Sequence, residues 1–236
     1  MSRTLLTLAL ALALAGTHAQ AHDNDNDGDK DGTERAGQDI SHVNGSISAE
    51  AGQRYGDLET VNGSIHVGRG TGAKDVQTVN GSITLDDQSK VRSVETVNGA
   101  ISAGQNIDIL RGAETVNGRI RVGFHSHIGG DVSTVNGGIV LQQTQVDGEL
   151  STVGGDITVG ADTVVNGGIH VDKPHGISWG RQRIPRIVIG PNAVVQGPLR
   201  FERKVELFVH PSAKTGAVTG ATVQQWTDTL PARVDD

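Results

Sequence analysis

Residues 23–34 read DNDNDGDKDGTE and carry the spacing of a calcium loop, with Asp23, Asp25, Asp27, Gly28 and Glu34 at the positions such a loop uses. Carboxylate oxygens placed this way, with Asp29 adding another, can wrap one hard cation, and Gly28 permits the sharp turn. Lys30 occupies a position that is ordinarily apolar, and an acidic tract containing Gly meets the pattern by composition alone. The tract therefore supports two expectations, an acidic disordered linker over residues 22–38 and a weak calcium loop within it. No cofactor is expected, and calcium is the candidate ion for this tract.

Three other groups could do chemistry. His125 and His127 are two residues apart, so on a strand they share a face and could hold a divalent metal with a third ligand from a neighbouring segment. Solvated surface histidines are the simpler expectation. Glu59, Glu95 and Glu114 stand at equivalent points of a repeat, with Gln77 between the first two. Paired carboxylates are what a polysaccharide-cleaving enzyme needs. If the repeats stack in register, Glu59 and Glu95 lie two strand spacings apart, about 9.6 Å, just beyond the usual inverting separation. The simpler reading is a solvated acidic stripe. Near the C-terminus, Lys173, Arg181, Arg183, Arg186, Arg200, Arg203 and Lys204 face only Asp172 and Glu202. They form either a patch for an anionic glycan or lipid or a polar end cap.

Nucleophile elbows, His-Glu-x-x-His and phosphate-binding Gly loops do not occur in the sequence. With no cysteine, disulfides, thiolate metal sites and thiol catalysis are excluded. The expectation is a protein that is not an enzyme.

Whatever these residues do, a repeat positions them. Val-Asn-Gly-Ser-Ile or a close variant begins at Val43, Val61, Val79, Val97, Val116, Val135, Val153 and Val165. The spacings are 18, 18, 18, 19, 19, 18 and 12 residues, the signature of a solenoid. After each motif two apolar residues flank a polar one, as in Ile65-His66-Val67 and Ile120-Arg121-Val122, so one face is buried. A second apolar site recurs at Leu58, Val76, Val94, Val132 and Leu150, and a third at Val91, Ile109 and Ile128. Three short apolar stretches per repeat predict a three-sided coil. Asn-Gly suits a corner, because both residues tolerate positive φ. Stacked corners would bring Asn44, Asn62, Asn80, Asn98, Asn117, Asn136 and Asn166 into one amide ladder. Insertions are expected at the other corners.

The predicted fold class is all-β: a parallel β-solenoid, or single-stranded β-helix, of about 18–20 residues per coil with a right-handed wind. The alternative is an antiparallel hairpin meander, since Asn-Gly between apolar runs is also a hairpin signal. The solenoid is expected over residues 39–171, an irregular connector over 172–186, a continuation and cap over 187–222 and a tail over 223–236. The continuation rests on Ile189-Gly-Pro-Asn-Ala and Val209-His-Pro-Ser-Ala, which align at a spacing of 20. Trp179 and Trp226 are candidates to close the ends of the core.

Composition agrees with a narrow core: aromatics are 3%, and the apolar supply is mostly Val and Ile, which suit strands. The net charge of −7 disfavours nucleic acid as a partner, because phosphate binding needs clustered positive charge. Residues 1–21 read as a cleavable signal peptide, with Arg3, an apolar run from Leu5 to Ala15 and Ala19-Gln20-Ala21 at the cleavage site. The run is shorter than the roughly 20 residues that span a bilayer, and no later segment approaches that length. The mature chain is therefore expected in the periplasm, secreted or at the cell surface, without a membrane span.

The Val-Asn-Gly-Ser-Ile copies and Val153-Gly-Gly-Asp-Ile-Thr-Val resemble the toast-rack β-solenoid family of bacterial adhesin-like proteins, over about residues 40–171. The stretch Ile187–Gly197 is similar to the polymer-forming β-helix of bactofilins, over about residues 185–220. These resemblances imply export or surface association, adhesion or self-assembly, and no established chemistry. The function expected is that of a non-enzymatic structural surface whose partners are envelope components, glycans or its own copies. The alternatives are a glycan-processing enzyme on the same scaffold and a calcium-responsive assembly protein.

Overall fold

The computed structural model describes residues 37–174 and 183–227. The leader, the acidic tract with Asp23, Asp25, Asp27, Asp29 and Glu34, and also Trp179 and Arg181, lie outside the described residues. Over the described residues the chain is all-β, and its strands pair in parallel through about ten stacked turns. This excludes the hairpin meander. Each Asn-Gly pair carries the chain from one face of a coil to the next, not back on itself.

One face is a 10-stranded sheet built from the Ile-x-Val stretches, one per coil. Ile47 pairs with Ile65, Ile65 with Ile83 and Ile83 with Ile101, so identical side chains stack along the axis. All four are at most 3% exposed. Burying each such side chain is worth about 1.5–3 kcal/mol, which no coil collects without its neighbours.

The other two faces differ along the rod. In the early coils one long strand covers both, as in Tyr55–Asn62, Gly72–Asn80 and Lys90–Asn98. In the next coil the same path splits into Asp108–Ile109 and Ala113–Thr115. Val91 pairs with Ile109 and Val94 with Ala113, so Arg92-Ser93 is replaced by Leu110-Arg111-Gly112. That one extra residue is the step from 18 to 19 in the repeat. It gives the corner enough chain to turn sharply, and the coil becomes three-sided.

A third corner is built from left-handed residues: Gly52, Gly70, Gln88, Asn106, His125, Gln143, Asp162 and Asn192, with φ between 45° and 72°. Left-handed backbone is costly for residues other than Gly. Here the coils hold it in place: the N–H of Gln88 donates to Gln105 O at 2.9 Å, and that of His125 to Gln143 O at 2.9 Å.

The 187–222 segment continues the same sheets, since Ile157 pairs with Ile187, Val165 with Val195 and Ile169 with Leu199. Ile189 pairs with Val209 and Val195 with Thr215, which matches the expected 20-residue alignment. The insertion before Arg186 departs from expectation. It leaves from the strand Ile169–Val171 and re-enters at Arg186–Ile189, and so replaces an Asn-Gly corner. Trp226 packs at the last coil, with its ring edge-on to His210 at 5.4 Å and its indole N–H donating to Ile189 O at 3.4 Å.

Candidate functional site

The asparagine corner is a continuous ladder. Each Nδ2 donates to the Oδ1 of the preceding coil, from Asn62 to Asn44, Asn80 to Asn62, Asn98 to Asn80, Asn117 to Asn98 and Asn136 to Asn117, at 2.9–3.0 Å. Asn166 is not part of it. Ile169 pairs with Leu150, which puts Asn166 at a different corner, where it donates to Asp147 Oδ1 and accepts from Gln196 Nε2. The 12-residue spacing is not a coil: the true successor of Ile157 is Ile187. The Asn136 ladder ends because the next coil offers Gly154 instead.

Behind the ladder runs a row that sequence reasoning missed. Thr60, Thr78, Thr96 and Thr115 are buried, and each Oγ1 donates to the corner Gly carbonyl of the preceding coil, at 2.8–3.0 Å. The visible signal is a Thr before every Val-Asn-Gly from the second copy to the sixth. Where the ladder ends, a groove of about 610 Å³ opens, lined by Asn117, Arg119, Asn136, Asp156 and Arg183 among others.

The acidic row is a half-buried array, not a solvated stripe. Glu59, Gln77, Glu95 and Glu114 are in register on one outward face. Beside them Asp39 and Asp57 accept the backbone N–H of Asp57 and Asp75, at 2.8 and 3.1 Å. Asp75 accepts from Ser93 Oγ at 2.8 Å and from Arg92 Nε at 2.6 Å. These bonds, with the Arg92 guanidinium foremost, hold the Asp75 carboxyl below its ordinary range. Arg92 also reaches Asp57 at 3.5 Å. The glutamates go the other way. Burial, and then Asp57, Asp75 and Asp39, raise Glu59. Burial and Asp131 raise Glu114. Burial, then Glu114 and Asp75, push Glu95 up to about 7. The closest pair of glutamates in register is thus Glu95 and Glu114, one coil apart at about 4.8 Å between strands, and not Glu59 and Glu95.

The histidine pair dissolves. His125 sits in the left-handed corner, while His127 lies on the strand Ser126–Ile128 between Asp147 (2.9 Å) and Asp108 (3.4 Å). The bond to Asp147 is the main cause of the raised pKa of His127.

The basic residues are mostly engaged. Arg183 pairs with Asp156 at 2.7 Å. Arg186 pairs with Glu206 at 2.9 Å and lies over the Phe208 ring at 5.1 Å. Arg203 donates to Val153 O and Arg183 O, and burial lowers its pKa. Arg183 and Arg203 tie the re-entry of the insertion to an earlier coil, and the expected basic patch reduces to the exposed Lys173, Arg200 and Lys204 among the described residues.

No family model, curated protein or solved structure matches the chain. Among the described residues no helix is long and apolar enough to cross a membrane.

Proposed function

We propose that this chain is a non-enzymatic, exported scaffold that presents a repetitive surface to a cell-envelope glycan. The supporting observation is the way outward side chains brace one another along the axis, in the asparagine ladder and in the Asp39, Asp57 and Asp75 row. Side chains held by their neighbours lose little further freedom on binding, so an extended polymer meets a preorganised surface. The periodic arrangement suits a periodic ligand. The groove at the end of the ladder adds amide, carboxylate and guanidinium groups that complement sugar hydroxyls.

The purified chain is expected to co-sediment with isolated cell envelopes and with their glycan fraction. Light scattering after size exclusion tests self-association in parallel. A strictly monomeric protein that binds neither fraction rules the proposal out.

A second reading rests on Glu95 and Glu114. Two carboxyls one strand spacing apart approach the roughly 5–5.5 Å separation of retaining glycosidases, and Glu95 has the raised pKa of a general acid. An enzyme of this kind would release reducing ends from polysaccharides by hydrolysis, and Glu95→Gln would abolish the release. Release that persists in Glu95→Gln removes this pair from consideration.

A further inference from the structure

We propose a divalent transition-metal site, of the class that takes zinc, at His170, Asp172 and Glu202. His170 points outward from the strand Ile169–Val171, and Asp172 follows two residues later on the same side. Val171 pairs with Phe201, so the next residues of the two coils, Asp172 and Glu202, are neighbours. Backbone bonds fix both, Asp172 N to Thr152 O at 2.9 Å and Glu202 N to Val171 O at 2.8 Å.

One ligand atom from each side chain falls within 4.8 Å of the others. His170 Nε2 lies 3.4 Å from Asp172 Oδ1 and 3.4 Å from Glu202 Oε1. Neither contact is a hydrogen bond, though both are within ion-pair range. The distances match the nitrogen–oxygen separation across a tetrahedral zinc, about 3.4 Å for metal–ligand bonds of about 2.0–2.1 Å. The Nε2 atom is itself covered from solvent and makes no hydrogen bond, and the two carboxylates beside it bring the negative charge that a divalent cation takes. On the other side of the ring, Glu149 Oε1 lies 3.9 Å from Nδ1, near the ring but beyond hydrogen-bond distance. Arg200, in register with His170 on the following coil, is exposed and outside the donor set.

One imidazole and two carboxylates suit a borderline divalent ion, and three protein ligands leave a coordination position for water or an added ligand. The site lies where the insertion leaves the solenoid. A bound ion joins Asp172, at the root of the insertion, to Glu202 on the coil that follows it.

Zinc titration of the chelator-stripped chain by calorimetry tests the site, with His170→Ala and Glu202→Gln alongside. The native chain is expected to bind one more equivalent at micromolar Zn²⁺ than either variant, or to bind that equivalent about tenfold or more tightly. Circular dichroism verifies that the variants are folded. If they are not, the visible spectrum of the native chain with Co²⁺ decides, since tetrahedral coordination gives intense bands. Zinc binding equal in all three proteins, no binding at micromolar zinc, or Co²⁺ bands no stronger than those of the aqueous ion would overturn the proposal.

Discussion

Gly118→Ala is expected to lower the melting temperature by about 6–12 °C, equivalent to roughly 3 kcal/mol in a domain of this size. A Cβ at Gly118 would lie 1.8 Å from the carbonyl oxygen of Gly99, with Thr115 Oγ1 at 3.1 Å. The obstacle is backbone, so no rotamer change relieves it. The coils must move apart at a corner where the Asn117 and Thr115 rows both fix their spacing. Gly70→Asn is the control. Gly70 has φ 68° and nothing within 4 Å of its would-be Cβ, and Asn106 adopts the same left-handed corner at φ 56°. It should stay within about 0.5 kcal/mol of native. Thermal melts followed by circular dichroism compare the two. A Gly118→Ala protein that melts within about 2 °C of native would show that the corner glycine is not a close-approach position.

Glu95→Gln is expected to stabilise the chain at pH 8 and to change little at pH 4. Burial, then Glu114 and Asp75, push the Glu95 carboxyl up to about 7 from its usual 4.5. A carboxyl with a raised folded pKa holds its proton more tightly in the native state. Its contribution is therefore fully present below pH 4.5, is lost as the pH rises towards about 7, and is a constant penalty above that. Allowing for the solvent that still reaches the side chain, the penalty at pH 8 is roughly 1–2 kcal/mol. Glutamine keeps the shape and removes the charge. Urea unfolding at pH 4 and pH 8 should show the gain at the higher pH alone, and the fall in stability between about pH 4.5 and 7 should become shallower. An equal change at both pH values, or a loss at pH 8, contradicts the electrostatic account. Glu59 and Glu114, also raised, keep some of the slope in the variant.

The period, the inward Ile-x-Val pairs and the corner Asn residues were legible in the sequence because each depends on contacts between equivalent positions of adjacent coils. The chemistry of the faces was not legible to the same degree. Half-burial of the Glu59, Gln77, Glu95 and Glu114 row comes from the coils stacked on either side of each side chain, which the alternation of apolar and polar residues along one coil does not report. Asn166 carries the local motif of a ladder residue, yet it stands at another corner, because a five-residue pattern does not encode which side of a coil it turns. His170, Asp172 and Glu202 converge across a coil lengthened by the insertion. Asp172 and Glu202 are 30 positions apart in the chain, a distance that no fixed period would have flagged. The arginines looked like a patch because their partners, the Asp156 carboxylate and the Val153 carbonyl, belong to an earlier coil.

The long early strands give the rod a direction in time. Strands of 8 and 9 residues bind the second, third and fourth coils to one another, whereas the last coils are held on two of their faces by pieces of 2 or 3. In a stack where each coil touches only its neighbours, local opening follows local ladder length. The chain is synthesised from the sturdy end, so each new coil meets a finished template with its side-chain rows already displayed. Heat or force should fray it in the reverse order, from Val223 back towards Gln38, leaving a seed on which the remainder can wind again.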